Sequence, residues 1–310
     1  MTFTASGIYK RFGEKQVLSG IGFETGSGRA VGLLGRNGAG KTTTIRIIMG
    51  VFPADAGEIL VDGRPIDRNK LRIGYLPEEH GLYPKKPINE QLLYLSALRG
   101  MRSADAKRSI HEWLERLGMG EYETKRLDTL SKGNQQKIQL AACLIHNPEL
   151  VILDEPFSGL DPVNAALLKD VVKELIDAGK IVIFSSHQMN YVEEFCDSVA
   201  ILHGGNIVVG GRISDIKRSY ERDKLVVKTT GAQTLLNFCG VAEMGALIKS
   251  ASMRQEDVLV EMRDASAKEE VMRALLNSGC DIDGITVYEP TLSDIFVEYT
   301  GDERQGGAEQ

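Results

Sequence analysis

A chain of 310 residues, 42% apolar and 26% charged, is long enough for one large domain and a smaller one, and its composition excludes disordered and fibrous classes. The net charge of −6 argues against a dedicated nucleic-acid binder, and the doublets Lys85-Lys86 and Lys125-Arg126 read as solvated surface. Cys143, Cys196, Cys239 and Cys280 are widely spaced, show no CxxC pattern and sit in apolar stretches, which predicts reduced core thiols in a cytosolic protein. The opening MTFTASGIYKRFG has no apolar signal core, and no apolar run approaches the roughly twenty residues of a membrane span.

The first seventy or so residues read as β-rich. QVLSGIGFE and GEILVDGRPI are short runs bounded by turn residues, and Asp62-Gly63 is a two-residue hairpin signal. Between them RAVGLLG is a short apolar run ending in glycine. Residues 88–146 carry apolar residues at helical spacing in INEQLLYLSALRG, SADAKRSIHEWLERLG and GNQQKIQLAACLIHN. The runs LVILDEP, KIVIFSSH and SVAILHGG are continuous rather than alternating, which predicts strands buried on both faces of a parallel sheet. The pattern is α/β with a helical insertion. Past residue 220, LVVKTTG, VLVEMRD and ITVYEP alternate with candidate helices at 266–278 and 291–300, as in a small α+β domain. In the last helix Thr291 and Asp294 form a capping box, and Leu292, Ile295, Phe296 and Tyr299 make one apolar face. The expected division is 1–220 with a helical part at 85–146, then 221–302, then a flexible tail at 303–310.

Three motifs carry chemistry. GRNGAGKT, from Gly35 to Thr42, follows an apolar strand and opens a helix, the context in which GxxxxGK[ST] wraps a polyphosphate. Lys41 places a point charge on the β- and γ-oxygens, and the Thr42 hydroxyl faces Mg²⁺. In LVILDEP, Asp154 stands at a strand end where it can hold Mg²⁺ through water, and Glu155 can orient or deprotonate the attacking water. The bland alternative is a pair of surface acids. His187 ends the next apolar run; alone it would be a packed surface histidine, but one strand after the acidic pair it can reach a γ-phosphate. Asp161 before Pro162 is a helix cap. LSKGNQQKIQL is a second helix start built from Ser131 and Gly133, and therefore a second anion site.

In this order and spacing, GRNGAGKT, LSKGNQQ, LVILDEP, SGLD and SSH resemble the nucleotide-binding subunit of an ABC transporter over residues 2–215. The resemblance implies a P-loop ATPase fold with a parallel-sheet core, an N-terminal antiparallel β part and a helical insertion, and it implies ATP and Mg²⁺ as cofactors. It implies that Phe12 stacks on adenine and that Gly35, Asn37, Gly38, Gly40, Lys41, Thr42 and Thr43 line the phosphates. Ser131 and Gly133 would contact the γ-phosphate held by a second ATPase domain, another copy or a paralogue, with Asp161 crossing that interface. Glu155 and His187 would act on the water, and Thr42, Asp154 and Glu78 would face the metal. The chain departs from the family pattern at Lys132 and Asn134, where glycine and glutamine are usual, and at Glu78, where a glutamine is usual. YLPEEHGLYP and YEPTLSDIFVEYTG resemble bacterial sodium or drug exporter ATPases whose membrane part is a separate chain. The implied partner is a multi-span permease met by residues 78–95, with no nucleic acid, and the implied place is cytoplasmic at the inner face of the membrane. The alternative is a soluble ABC ATPase acting on the ribosome or DNA.

Overall fold

The computed structural model describes residues 1–79 and 81–301, so the tail expected at 303–310 lies outside the described residues. They divide into two compact units, Met1–Ile213 with the described residues from Phe296 on, and Ser214–Ile295.

In the first unit β1 (Thr2–Phe12) and β2 (Lys15–Gly26) form an antiparallel pair. β3 (Arg29–Gly35) leads into α1 (Lys41–Ile48). β4 (Ala56–Val61) and β5 (Arg64–Pro65) turn at Asp62-Gly63, both with positive φ, 50° and 72°, the conformation the hairpin signal requires. These strands make an antiparallel sheet of order β2-β1-β4-β5. β1 is absent from the apolar runs of the sequence because TFTASGIYKRF alternates weakly and turns only Phe3, Ala5 and Ile8 into the core.

After β6 (Ile73–Leu76) come three helices, α2 (Ile88–Leu98), α3 (Ser103–Arg116) and α4 (Lys132–Leu144), over the stretch whose spacing is helical. β7 (Leu150–Asp154), α5 (Pro162–Asp177), β8 (Ile181–Ser186), α6 (Met189–Phe195), β9 (Ser198–His203) and β10 (Asn206–Arg212) complete a sheet of order β10-β9-β3-β8-β7-β6. All its pairs are parallel except β10 with β9. β7 and β8 are buried at every residue, the result expected of continuous apolar runs. Val31, Ile183 and Ile152 stand side by side across β3, β8 and β7 and share a core with Ile45 and Ile48 of α1.

The second unit begins within α7 (Ile213–Arg218). β11 (Lys224–Thr229), α8 (Ala232–Cys239), β12 (Ile248–Arg254), β13 (Asp257–Met262), α9 (Lys268–Leu276) and β14 (Ile282–Val287) give an antiparallel sheet of order β12-β13-β11-β14. Leu225, Val227, Val258 and Val260 form its core with Leu235 of α8 and Val271 of α9. α10 (Leu292–Thr300) opens with the expected reciprocal cap: Asp294 N–H donates to Thr291 Oγ1 at 3.1 Å, and Thr291 N–H donates to Asp294 Oδ2 at 2.8 Å. Its apolar face differs from expectation at the end, where Tyr299 is 45% exposed and Thr300 is 1% exposed. Thr300 tolerates burial because its hydroxyl donates to the Phe296 carbonyl at 2.7 Å.

His146, just past α4, ties that helix to the sheet through a 3.0 Å bond from Nε2–H to the Ile73 carbonyl of β6. Burial, offset in part by that bond and reinforced by Arg99 and Arg72, pushes the imidazole down to about 4. A histidine held below its unfolded value of about 6.5 contributes stability above that pH and loses it as pH falls. The wild-type melting temperature should therefore drop between about pH 6.5 and pH 4 more steeply than that of His146→Gln, which keeps a donor without the titration. Parallel profiles for the two proteins would remove His146 from the acid sensitivity.

Candidate active site

The phosphate loop spans the end of β3 and the start of α1. Gly40 has φ 113°, and a Cβ there would come within 2.5 Å of Leu18 Cδ2, so no other residue fits the turn. α1 then begins at Lys41 with its first N–H groups free of helical partners, a ready anion cradle. Asn37, Gly38, Gly40, Lys41, Thr42 and Thr43 line a cleft of about 510 Å³ together with Glu78, Asp154 and Glu155. Gly35 lies behind this lining, where its carbonyl accepts a 2.7 Å bond from Lys41 Nζ.

The carboxylates enter from the carboxyl end of β7. The register Asp154↔Ser185 across β7 and β8 puts the Ser185 hydroxyl on Asp154 Oδ1, to which it donates. Burial raises the Asp154 carboxyl above its ordinary range, while the Ser185 bond and nearby Lys41 pull it back down. Glu155 has φ 49°, left-handed backbone for a side-chain-bearing residue. Its Oε2 accepts from His187 Nδ1 at 2.8 Å, and its buried Oε1 lies 3.6 Å from Lys41 Nζ. His187 therefore joins the site through Glu155 rather than through the lining of the cleft, with its side chain 55% exposed.

Besides Gly35 and His187, four of the sequence-derived candidates stand apart from the cleft lining. Phe12 is 47% exposed and packs edge-on against Phe52 at 5.3 Å. Ser131 caps α4, accepting from Asn134 N–H at 3.3 Å. Asp161 caps α5, accepting from the Val163 and Asn164 N–H groups at 3.0 Å, and those bonds, Asn164 first, hold its carboxyl below the usual range. Gly133 completes this second group, since a Cβ there would come 2.7 Å from Asn164 Nδ2. Ser131, Gly133 and Asp161 thus share the paired starts of α4 and α5. Lys132 is exposed.

Lys15, Gln16, Val17, Arg36, Gly204 and Gly205 also line the cleft and escaped the sequence reading. Gly204-Gly205 was readable as the turn after SVAILH; its place beside Val17 was not, because β9 and β2 are far apart in the chain. Ser185 and Gln136 were likewise missed. Gln136 Nε2 donates to the Pro156 carbonyl at 2.5 Å, next to Glu155.

A carboxyl raised by folding favours the fold only while protonated: its contribution is full below about pH 4 and lost as pH rises through the folded value. At pH 7, without nucleotide, Asp154→Asn should therefore melt a few degrees above wild type, and the gain should vanish near pH 4. Thermal melts at the two pH values check this; equal melting at pH 7 would mean that Ser185 and Lys41 compensate the buried charge in full.

Residues 18–158 match a family model described as ABC transporter, and residues 211–300 match the C-terminal domain of DrrA1-3-like ATP-binding proteins. The chain is 45% identical to an uncharacterized ABC transporter ATP-binding protein of Alkalihalophilus pseudofirmus, over 87% of this chain and 98% of that one. It is 32% identical to the linearmycin resistance ATP-binding protein LnrL of Bacillus subtilis, over 96% of this chain and 97% of that one. A solved ATP-binding subunit of an ABC transporter superposes with a TM-score of 0.65 at 29% identity, over 70% of this chain and 92% of that one. A phosphate loop and strand-end carboxylates on this scaffold, with these relatives along nearly the whole length, make the chain an ATP-hydrolysing, ATP-binding subunit of the ABC transporter family.

Proposed function

We propose that this subunit powers export of a drug-like or ionic substrate through a separate membrane protein, with two ATPase domains closing head to tail around two ATP. The observation that carries the export reading is likeness to a resistance ATPase over both the ATPase and the C-terminal segments. Among the described residues no helix is long and apolar enough to cross a membrane, so a spanning partner is part of the reading. Residues 78–95 offer it a surface, with Tyr83 61% and Tyr94 55% exposed. We take 1–220 as the ATPase domain, with its helical part at 85–146, and 221–302 as the C-terminal domain.

The chemistry follows from the cleft. The α1 N-terminus and Lys41 bind the β- and γ-phosphates, and Phe12, exposed at the end of β1, stacks on adenine. Thr42, Asp154 and Glu78 are hard oxygen donors, too few to cage a metal by themselves, which suits Mg²⁺ because it keeps waters and phosphate oxygens as ligands. When bound, Mg²⁺ neutralises charge on the transferred phosphoryl group. Glu155 takes the proton of the attacking water, and His187 Nδ1–H steadies that carboxylate from 2.8 Å. Ser131 and Gly133 present the α4 N-terminus to the γ-phosphate on the partner domain, and Asp161 lies at the same interface.

Glu155→Gln should keep ATP affinity while lowering turnover by about 10²–10⁴, the worth of a general base. Steady-state hydrolysis beside a nucleotide titration checks it, and an unchanged rate removes Glu155 from that role. Export itself is tested by extracting the tagged chain in detergent from its own membranes. A co-purifying multi-span protein that stimulates ATP hydrolysis is the expected result; ribosomes, DNA or a chain found wholly in the soluble fraction would overturn it.

A further inference from the structure

Among the non-glycine residues lining the cleft, Glu155 alone has left-handed backbone, at φ 49°. Such a conformation is strained and persists only where its surroundings over-determine it. On its amino side the restraint is the sheet: Glu155 N–H donates to the Ser185 carbonyl at 3.0 Å and reaches Ser185 Oγ at 3.3 Å. On its carboxyl side the next residue is Pro156, which has no N–H to donate, so the turn must be held through its carbonyls. Ser158 N–H reaches the Glu155 carbonyl at 3.1 Å. The Pro156 carbonyl is held by the Gln136 amide at 2.5 Å, the only one of these bonds that a side chain of another element donates to this turn. One residue on, Phe157 is buried and stacks on Tyr191 of α6 at 3.9 Å.

Gln136 lies one turn inside α4, five residues after Ser131, and it does not line the cleft. Its neighbours on the helix serve other ends: Gln135 Nε2 bonds the Leu130 carbonyl at 2.9 Å, and Gln139 Nε2 bonds the Glu79 carbonyl at 2.9 Å. α4 therefore holds both loops that carry cleft carboxylates, the Glu78 loop through Gln139 and the Glu155 turn through Gln136.

We propose that Gln136 is a positioning residue for ATP hydrolysis: by holding the Pro156 carbonyl, it keeps the strained Glu155 turn in the conformation that presents the carboxylate between His187 and Lys41. The assignment rests on Glu155 being the group that acts on the water. Because Ser131 caps α4, a displacement of that helix end reaches the Glu155 turn through one helical turn and one hydrogen bond.

The test is a double-mutant cycle on the purified full-length chain. Gln136→Leu removes the donor, and Gln136→Glu keeps the length but sets an acceptor against a carbonyl. Each is made alone and with Glu155→Gln, and ATP hydrolysis, ATP affinity and melting temperature are measured. Each single variant should lower kcat about tenfold, the scale of one hydrogen bond, with KM changed less than about twofold. With Glu155→Gln in place, neither should lower the residual rate further, because the group being positioned is gone. A wild-type kcat in both variants, or the same loss in both backgrounds, overturns the proposal; the second result is what a merely structural glutamine gives. Should Gln136→Leu fail to fold, Gln136→Glu carries the same comparison. A wild-type rate in Glu155→Gln alone overturns the role of Glu155 instead, and the two failures are thereby distinct.

Discussion

Lys41, Asp154 and Glu155 are all buried at one edge of a parallel sheet, with relative exposures of 7%, 2% and 6%. Removing such groups from water costs several kcal/mol per ion, and close mutual attraction repays only part of it. The strand order β3-β8-β7 fixes this meeting: β3 delivers the phosphate loop, β7 delivers the carboxylates, and Ser185 on the strand between them bonds to Asp154. Around the cleft Lys15, Arg36 and Lys41 balance Glu78, Asp154 and Glu155 in number. A polyphosphate entering that balanced site brings several uncompensated negative charges. On the proposed reading, a divalent cation on the side of Thr42 and Asp154 offsets part of that charge.

How much of this was legible in the sequence depends on how local each signal is. The phosphate loop and Asp62-Gly63 were legible because glycine spacing dictates backbone conformation within a few residues. β7 and β8 were legible because burial on both faces leaves an unbroken apolar run. β1 was not, since its weak alternation means something only once β2 and β4 lie on either side of it. His187 shows the same limit inside the site. Its position one strand after the acidic pair pointed to the phosphate, yet the Asp154↔Ser185 register sets it first against Glu155. Gln136 was unreadable for a related reason: an amide in a helical run has no pattern of its own, and its partner is a carbonyl on the far side of β7 in the chain.

The separation of Ser131, Gly133 and Asp161 from the cleft fits the proposed head-to-tail pair. Val163, on the first turn of α5 beside the Asp161 cap, is 77% exposed, an apolar side chain at the same surface. A hydrolytic site divided between two such surfaces makes turnover conditional on their association, which is the property an engine needs if hydrolysis is to release a closed state. Glu78 fits the same logic from the other side. It stands in the cleft wall, and Gln139 of α4 bonds the carbonyl of the next residue, Glu79. Moving an amide by a few ångströms changes little electrostatically. Moving a carboxylate the same distance beside a γ-phosphate changes the local energy by about 1–4 kcal/mol at the effective dielectric of a protein surface. On the transport reading, an acid at this position makes hydrolysis more sensitive to the docking state of the loop than a glutamine does.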